Sequence, residues 1–218
     1  MTHRKAVTLA VFLACGSPFH AALHAQTLGV LGGWSRTTLA GTDVPPGLEH
    51  RTGFLTGLSV MYALSSHASL EVDALYASKG YQSKTTNNTF DFSSSYLEIP
   101  LLLRIALVPA ARVRPFVVAG PAFSAQLDCH GTNTSSTGSV DINCTDLVAR
   151  SGILVKKTDV SAVLGGGVEL PLGAVEITIA TRYTMGFASV IGNNDNHNRA
   201  LSVYVGLSKG HPDRNSAR

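Results

Sequence analysis

The residues in this sequence that could do chemistry are charged side chains set at alternate positions of apolar segments. Eight of them are predicted to share one enclosed space, and Lys79 and Asp159 lie on the same faces: Glu71, Asp73, Glu98, Arg104, Arg114, Glu169, Glu176 and Arg182. Such a cluster could carry protons or ions, or it could form a packed and hydrogen-bonded plug. Because buried charges are tolerated only when they are paired, we favour the plug.

Simple antiparallel pairing of the predicted strands indicates contacts within this cluster. It places Glu71 opposite Arg104 on the next strand, and Glu169 opposite Glu176 across a tight turn. Two carboxylates that close are unfavourable unless a cation lies between them or one of them keeps its proton. Arg114, on the preceding strand, is the candidate for that cation.

Two cysteines outside the N-terminal segment, Cys129 and Cys144, lie in a stretch rich in Ser, Thr, Asn and Gly. An isolated pair of this kind in an oxidising compartment is typical of a disulfide. A metal site would need further Cys or His residues at short spacing, and the adjacent His130 alone does not supply them. We therefore predict a Cys129–Cys144 disulfide, no metal site and no cofactor.

A lipid-modifying hydrolase would need a nucleophile, a base and an orienting acid within reach of one another. The histidines considered for the base fall in predicted turns, loops or the C-terminal tail: His50, His67, His130, His197 and His211. None is predicted on a strand face beside a serine, so we do not expect an enzyme. His197 and His130 are the candidate bases if that expectation is wrong.

Eight segments alternate between apolar and small or polar residues, which is the period of a β-strand. One face of the clearest segment is aliphatic: Leu97, Ile99, Leu101, Leu103 and Ile105. The predicted strands are 27–36, 52–64, 69–81, 94–106, 113–127, 158–170, 174–187 and 199–208. Each is long enough to cross a bilayer when tilted, since about 9–11 residues are needed.

The connections between these segments alternate in length. Long polar connections lie at 38–50, 82–93, 128–157 and 188–198, and short ones at 65–68, 107–112 and 171–173. Short periplasmic turns and long outer loops are typical of outer-membrane barrels. The sequence therefore predicts an all-β fold, an eight-stranded antiparallel up-and-down transmembrane β-barrel with both termini in the periplasm.

A soluble β-sandwich is the alternative, because its strands also alternate. Its outward face would be rich in charge, but only 14% of the residues are charged. The faces opposite the aliphatic ones are dominated instead by Gly, Ser and Thr, which suit the narrow interior of an eight-stranded barrel. The aliphatic faces carry no charge within the strand centres, as contact with hydrocarbon requires.

The first 25 residues are typical of a signal peptide, with Arg4 and Lys5 before the apolar run 6–14 and small residues up to Ala25. Lipidation at Cys15 is the alternative. Removing this segment leaves 15 basic and 14 acidic residues, so nucleic-acid binding is not expected. We predict a signal peptide over 1–25, a barrel domain over 26–208 and a polar tail over 209–218.

Two segments resemble the PorT-like outer-membrane β-barrel family. They are 96–104 (YLEIPLLLR), which resembles the family's Y-x-E-x-P-L-L segment, and 114–121 (RPFVVAGP), which resembles its K/R-P-Y-x-x-x-G-P segment. Residues 165–169 (GGGVE), and Arg182-Tyr183 with Gly186, resemble the next two strands. The resemblance implies an eight-stranded barrel in the bacterial outer membrane, and it implies no catalytic residue.

We therefore expect an outer-membrane barrel with a structural or surface-interaction role and a plugged lumen. A narrow pore for small solutes is the second choice, and a lipid-modifying enzyme the third. The expected partners are outer-membrane lipid, the barrel assembly machinery and a surface ligand of the 128–157 loop. That loop exceeds the length of about 12–15 residues beyond which loops tend to be functional or disordered.

Overall fold

The computed structural model describes residues 26–44, 47–144, 157–189 and 195–209. They form nine strands: β1 (Gln26–Ala40), β2 (Leu48–Ala63), β3 (Ala68–Lys84), β4 (Asn88–Ala106), β5 (Arg114–Ser135), β6 (Gly138–Asn143), β7 (Thr158–Leu172), β8 (Val175–Ser189) and β9 (His197–Lys209). The predicted signal peptide, Cys15 and the tail from residue 210 onward lie outside the described residues.

The strands close into an antiparallel barrel of eight long strands, as predicted. The sheet order is β4-β3-β2-β1-β9-β8-β7-β5-β6, and an additional pairing between β4 and β5 joins the two sides. β6 is a short strand that pairs with the far end of β5, whose first half pairs with β7. The barrel therefore closes without β6, which forms a hairpin arm above it.

The alternation of residues along the strands separates the outer surface from the interior. On β4 the outward Leu101 and Leu103 are 41% and 46% exposed, whereas Leu102 between them is fully buried. The same alternation places charged residues inside, as at Glu71 and Asp73 on β3. The predicted faces of all eight strands are confirmed, and the outer surface is a band of aliphatic and aromatic side chains.

The two ends of the barrel differ, and we name them the turn end and the loop end. The turn end has the connections at 64–67, 107–113 and 173–174, together with Gln26 and Lys209. Gly173 has a φ of +68°, which a tight turn requires and glycine adopts without strain. Within the described residues, no helix has the length and hydropathy to cross a membrane.

Two of the four connections predicted at the loop end, 82–93 and 128–157, were predicted too long. β3 continues to Lys84 and β4 begins at Asn88, so most of the predicted 82–93 loop is a tight hairpin. The segment 128–135 extends β5, and 138–143 forms β6, within the predicted 128–157 loop. Backbone pairing needs no apolar side chains, so polar strands beyond the aliphatic band lack the sequence alternation that marks the rest. Residues 145–156 of that loop lie outside the described residues.

Candidate functional site

The interior near the turn end is occupied by a layer of ion pairs around Glu71. Arg104 Nη1 lies 2.8 Å from Glu71 Oε2, and Arg104 Nη2 lies 2.5 Å from Glu169 Oε1. Arg182 donates to the other oxygen of Glu71, and its Nη1 lies 2.6 Å from Asp73 Oδ2. Glu71 is 2% exposed and contacts both guanidinium groups, so the layer spans the lumen from β3 to β8.

Two aromatic rings cover the arginines of this layer. The Arg104 guanidinium carbon lies 3.4 Å from the centre of the Phe116 ring, and that of Arg182 lies 4.6 Å from the Tyr204 ring. Guanidinium groups stack favourably on aromatic faces when they are desolvated. The charge layer is therefore packed against apolar surface as well as paired. Neither Phe116 nor Tyr204 was predicted to belong to the cluster.

Glu169 and Glu176, the two carboxylates predicted to face each other, are each bound by a different arginine. Glu176 lies directly opposite Pro171 and Glu169 opposite Thr178, so the predicted direct pairing of Glu169 with Glu176 was wrong by two positions. Arg114 Nη1 lies 3.4 Å from Glu176 Oε2, while Glu169 is bound by Arg104. The contact of Glu71 with Arg104 is diagonal, because the register pairs Glu71 with Leu102.

A separate group of charges lies nearer the loop end. Lys79 forms an ion pair with Glu98, which also accepts a hydrogen bond of 3.2 Å from Ser124 Oγ. Asp159 accepts a 3.0 Å hydrogen bond from the backbone N–H of Ala188, and its buried Oδ2 has no hydrogen-bond partner among the described residues. Lys79 and Asp159 were placed on the inner faces but left out of the predicted cluster. Glu98, which was included in it, belongs with them rather than with the Glu71 layer.

The space left in the lumen is small and interrupted. A cavity of about 80 Å³ at the turn end is lined by Arg104, and a central one of about 30 Å³ is lined by Arg182. About 10–15 Å³ of accessible space is enough to hold one water, so the central cavity has room for two or more waters. A third space of about 20 Å³ is lined by Glu71 itself with Arg104 and Tyr204, so the described cavities around the charge layer are all small.

The loop end carries the predicted disulfide. Cys129 on β5 and Cys144, just after β6, are bonded with their Cα atoms 5.6 Å apart. The bond closes the β5–β6 hairpin next to its last paired residues, His130 and Asn143. The exposed side chains of the hairpin are mostly hydroxyl and amide groups, with Thr132 donating a 2.7 Å hydrogen bond to Asp141.

A second feature of the loop end joins the β1–β2 connection to the β8–β9 connection. Asp195 Oδ2 accepts hydrogen bonds of 2.9 Å from both the backbone N–H and the hydroxyl of Thr42, and Oδ1 lies 2.8 Å from His197 Nε2. These donors, the Thr42 N–H foremost, lower the pKa of the Asp195 carboxyl below its ordinary value. The contact is returned by Asp43, whose carboxylate accepts from the Asp195 N–H at 2.8 Å.

Groups that could serve hydrolysis are divided between the two ends. Ser66 Oγ lies 2.9 Å from His67 Nδ1 at the turn end. The His–Asp contacts lie at the loop end: Asp128–His130 and Asp195–His197. Among the described residues, no three His, Cys, Asp or Glu side chains form a group that could hold a metal ion.

The aromatic side chains of the outer surface lie mainly toward the loop end. Trp34 and Phe54 are paired across β1 and β2, and Phe54 stacks on Tyr76 with ring centres 5.5 Å apart. All three are exposed on the apolar band. Tyr96 is instead buried inside the barrel beside Lys79, because its position alternates with that of the outward Leu97.

Comparison with known proteins gives both a family and a fold. Residues 24–192 match the family described as outer membrane protein beta-barrel domain. OprG from Pseudomonas aeruginosa is 14% identical, covering 86% of this chain and 98% of OprG, with a TM-score of 0.50. Neisserial surface protein A is 13% identical, covering 84% of this chain and 97% of that chain, with a TM-score of 0.48. A search of curated proteins found no match.

Proposed function

Because the chain belongs to the outer membrane protein beta-barrel domain family, we propose that it is a structural and surface-interaction protein whose lumen is closed by its own charges. It lies in the bacterial outer membrane. The observation that carries the closed lumen is the position of Glu71 between Arg104 and Arg182. We also propose that the chain is a PorT-like barrel. The inward positions of Tyr96 and Glu98, the first and third residues of its Y-x-E segment, support this resemblance.

The energetics favour a fixed plug over a mobile gate. Removing one partner of a buried ion pair costs about 3–5 kcal/mol, because the remaining charge stays desolvated and unpaired. Opening a path past Glu71 would separate it from two guanidinium groups that are themselves stacked on Phe116 and Tyr204. In the described residues, the outer wall beside this layer is apolar and offers these charges no compensating partner.

The proposed interaction surface is the β5–β6 hairpin with the neighbouring β3–β4 hairpin. Both extend beyond the aliphatic band, and the disulfide restrains the first of them. A restrained polar hairpin loses little conformational entropy when it binds, which favours recognition of a surface ligand. Outer-membrane lipid and the barrel assembly machinery are the other proposed partners.

A narrow cation path is the second candidate. Among the described residues, the interior holds six carboxylates against four cations: Glu71, Asp73, Glu98, Asp159, Glu169 and Glu176 against Lys79, Arg104, Arg114 and Arg182. An acidic interior favours cations over anions. The enzyme remains the third candidate, and the separation of the Ser66–His67 contact from the His–Asp contacts speaks against it.

Liposome swelling distinguishes these candidates. Vesicles containing the purified protein should swell in isosmotic small sugars and in potassium salts no faster than protein-free vesicles. Swelling in potassium salts would support the cation path and overturn the plug. Mass analysis of lipid A from cells with and without the protein should show identical species, whereas loss of an acyl chain that depends on His67, His130 or His197 would establish the enzyme.

A further inference from the structure

The outer surface carries two arginines on adjacent strands, at the loop-end edge of the aliphatic band. Arg36 on β1 lies opposite Leu201 on β9, and Arg199 lies opposite Thr38, so the two arginines are diagonal neighbours. Both share the outward face of their strands, since Trp34 and Leu201, two residues nearer the membrane centre, are exposed to lipid. Diagonal neighbours on one face lie about 7–8 Å apart.

The height of these arginines matches the boundary of the hydrocarbon. Ten residues of β9 separate Lys209 at the turn end from Arg199. At about 3.3 Å per residue and a tilt of about 40°, this distance is about 25 Å along the membrane normal, the height of the apolar band in such barrels. Trp34 lies next to Arg36 on the same face and is 70% exposed. This is the position in which tryptophan side chains are commonly found at membrane interfaces.

Neither arginine has a carboxylate partner within the described residues. Arg36 makes no hydrogen bond or ion pair with any other described residue. Arg199 uses Nη1 for the carbonyl oxygens of Gly186 at 2.8 Å and Asn198 at 3.2 Å, which leaves Nε and Nη2 available. Asp195, the nearest acidic residue described along β9, is bound to Thr42 and His197.

Among the described residues, the wall opposite β1 and β9 is formed by β5 and β4 and shows no such pair of arginines on its outward face. Its outward positions toward the loop end include the exposed Leu97 on β4 and Leu127 on β5. Like charges on adjacent strands repel each other, and an anion between them removes the repulsion. The two arginines therefore mark one side of the barrel, at the depth where lipid headgroups meet the protein.

We propose that Arg36 and Arg199 bind the phosphate of a phosphorylated glycolipid in the leaflet at the loop end. The guanidinium group binds phosphate through two parallel N–H···O bonds, and its charge compensates that of the phosphate. Trp34 packs against the first acyl carbons of the same lipid. The site holds one lipid at β1 and β9, away from the β5–β6 hairpin and outside the lumen.

The test compares lipid retention in nanodiscs of phosphatidylcholine that contain either diphosphorylated or dephosphorylated lipid A. The proteins are the wild type, the double variant Arg36→Ala with Arg199→Ala, and Arg112→Ala, an exposed arginine at the turn end, as the matched control. Heat-modifiable gel migration verifies that each barrel is folded. Native mass spectrometry then counts the lipid A molecules that stay bound to the protein.

The wild type and Arg112→Ala should retain the diphosphorylated lipid about tenfold or more over the dephosphorylated one, as expected from the loss of one charge-assisted hydrogen bond. The double variant should lose this preference. Equal retention of both lipids by the wild type would overturn the proposal, and that comparison needs no variant. A preference that survives in the double variant, or that is also lost in Arg112→Ala, would overturn it as well.

Discussion

Ion pairs connect strands both in the lumen and at the loop end, but their surroundings differ: Arg182 reaches across the lumen from β8 to β3, whereas Lys84 and Glu49 lie on the adjacent strands β3 and β2. Arg182 is 5% exposed and contacts Glu71, Asp73 and the Tyr204 ring. The Lys84–Glu49 pair at the loop end is 2.6 Å long, yet both side chains are 51% exposed. Water screens the second pair and is excluded from the first. The inner pairs therefore determine whether the barrel is stable, and the outer pairs adjust its surface.

Of the substitutions that test this difference, replacement of Arg182 by Met should lower the stability of the barrel most. It leaves Asp73 without its cation and halves the partners of Glu71, so the free energy of unfolding should fall by about 3–5 kcal/mol. Urea unfolding in detergent micelles, followed by fluorescence of the single tryptophan, measures it. Lys84→Met removes an exposed pair and should change the same quantity by less than about 1 kcal/mol. Equal effects of the two variants would contradict the distinction.

A substitution that disturbs the close packing of β7 on β8 should have the second-largest effect on stability. A Cβ added at Gly167 would lie 2.3 Å from the carbonyl oxygen of Ile179, whereas one at Gly32 on the outer face would meet nothing nearer than 3.9 Å. Gly167→Val should therefore cost about 1–3 kcal/mol or more through overpacking and reduce the heat-modifiable folded band. Gly32→Ala should leave that band unchanged. A folded Gly167→Val barrel of normal stability would show that the strands can separate.

The disulfide should affect the loop end alone. Replacing Cys129 and Cys144 by Ser removes a restraint worth about 3 kcal/mol to the hairpin, but the hairpin lies outside the closed barrel. Limited proteolysis should cut the variant faster within 128–144, while the urea midpoint of the barrel stays within error. If the midpoint falls by as much as for Arg182→Met, the hairpin is part of the barrel's cooperative unit.

The smallest effect concerns the contact between the β1–β2 and β8–β9 connections. Since the folded-state pKa of Asp195 is lowered, the stability of this contact is present above the ordinary pKa of 3.8 and is lost as the pH falls through the lowered value. Hydrogen exchange should show the Thr42 amide protected at pH 5 and released in stronger acid. Asp195→Asn should make this protection independent of pH, and a pH response that remains would assign it to another group.

Alternation along the strands was sufficient to predict the barrel, its short turns and the inward charges. It could not give the register between strands, which is why Glu169 was expected opposite Glu176 and lies opposite Thr178 instead. Register depends on where each strand begins, and polar strand ends such as 88–93 and 128–135 carry no alternation to mark them. Stacking of Arg104 on Phe116 was missed for the same reason, because it depends on the register between β4 and β5.

Conductance of the purified protein in planar bilayers tests the closed lumen most directly. The account predicts no stable single-channel steps for the wild type in potassium chloride at neutral pH, because Glu71 remains between Arg104 and Arg182. Long-lived, reproducible steps from the folded wild-type barrel would contradict it.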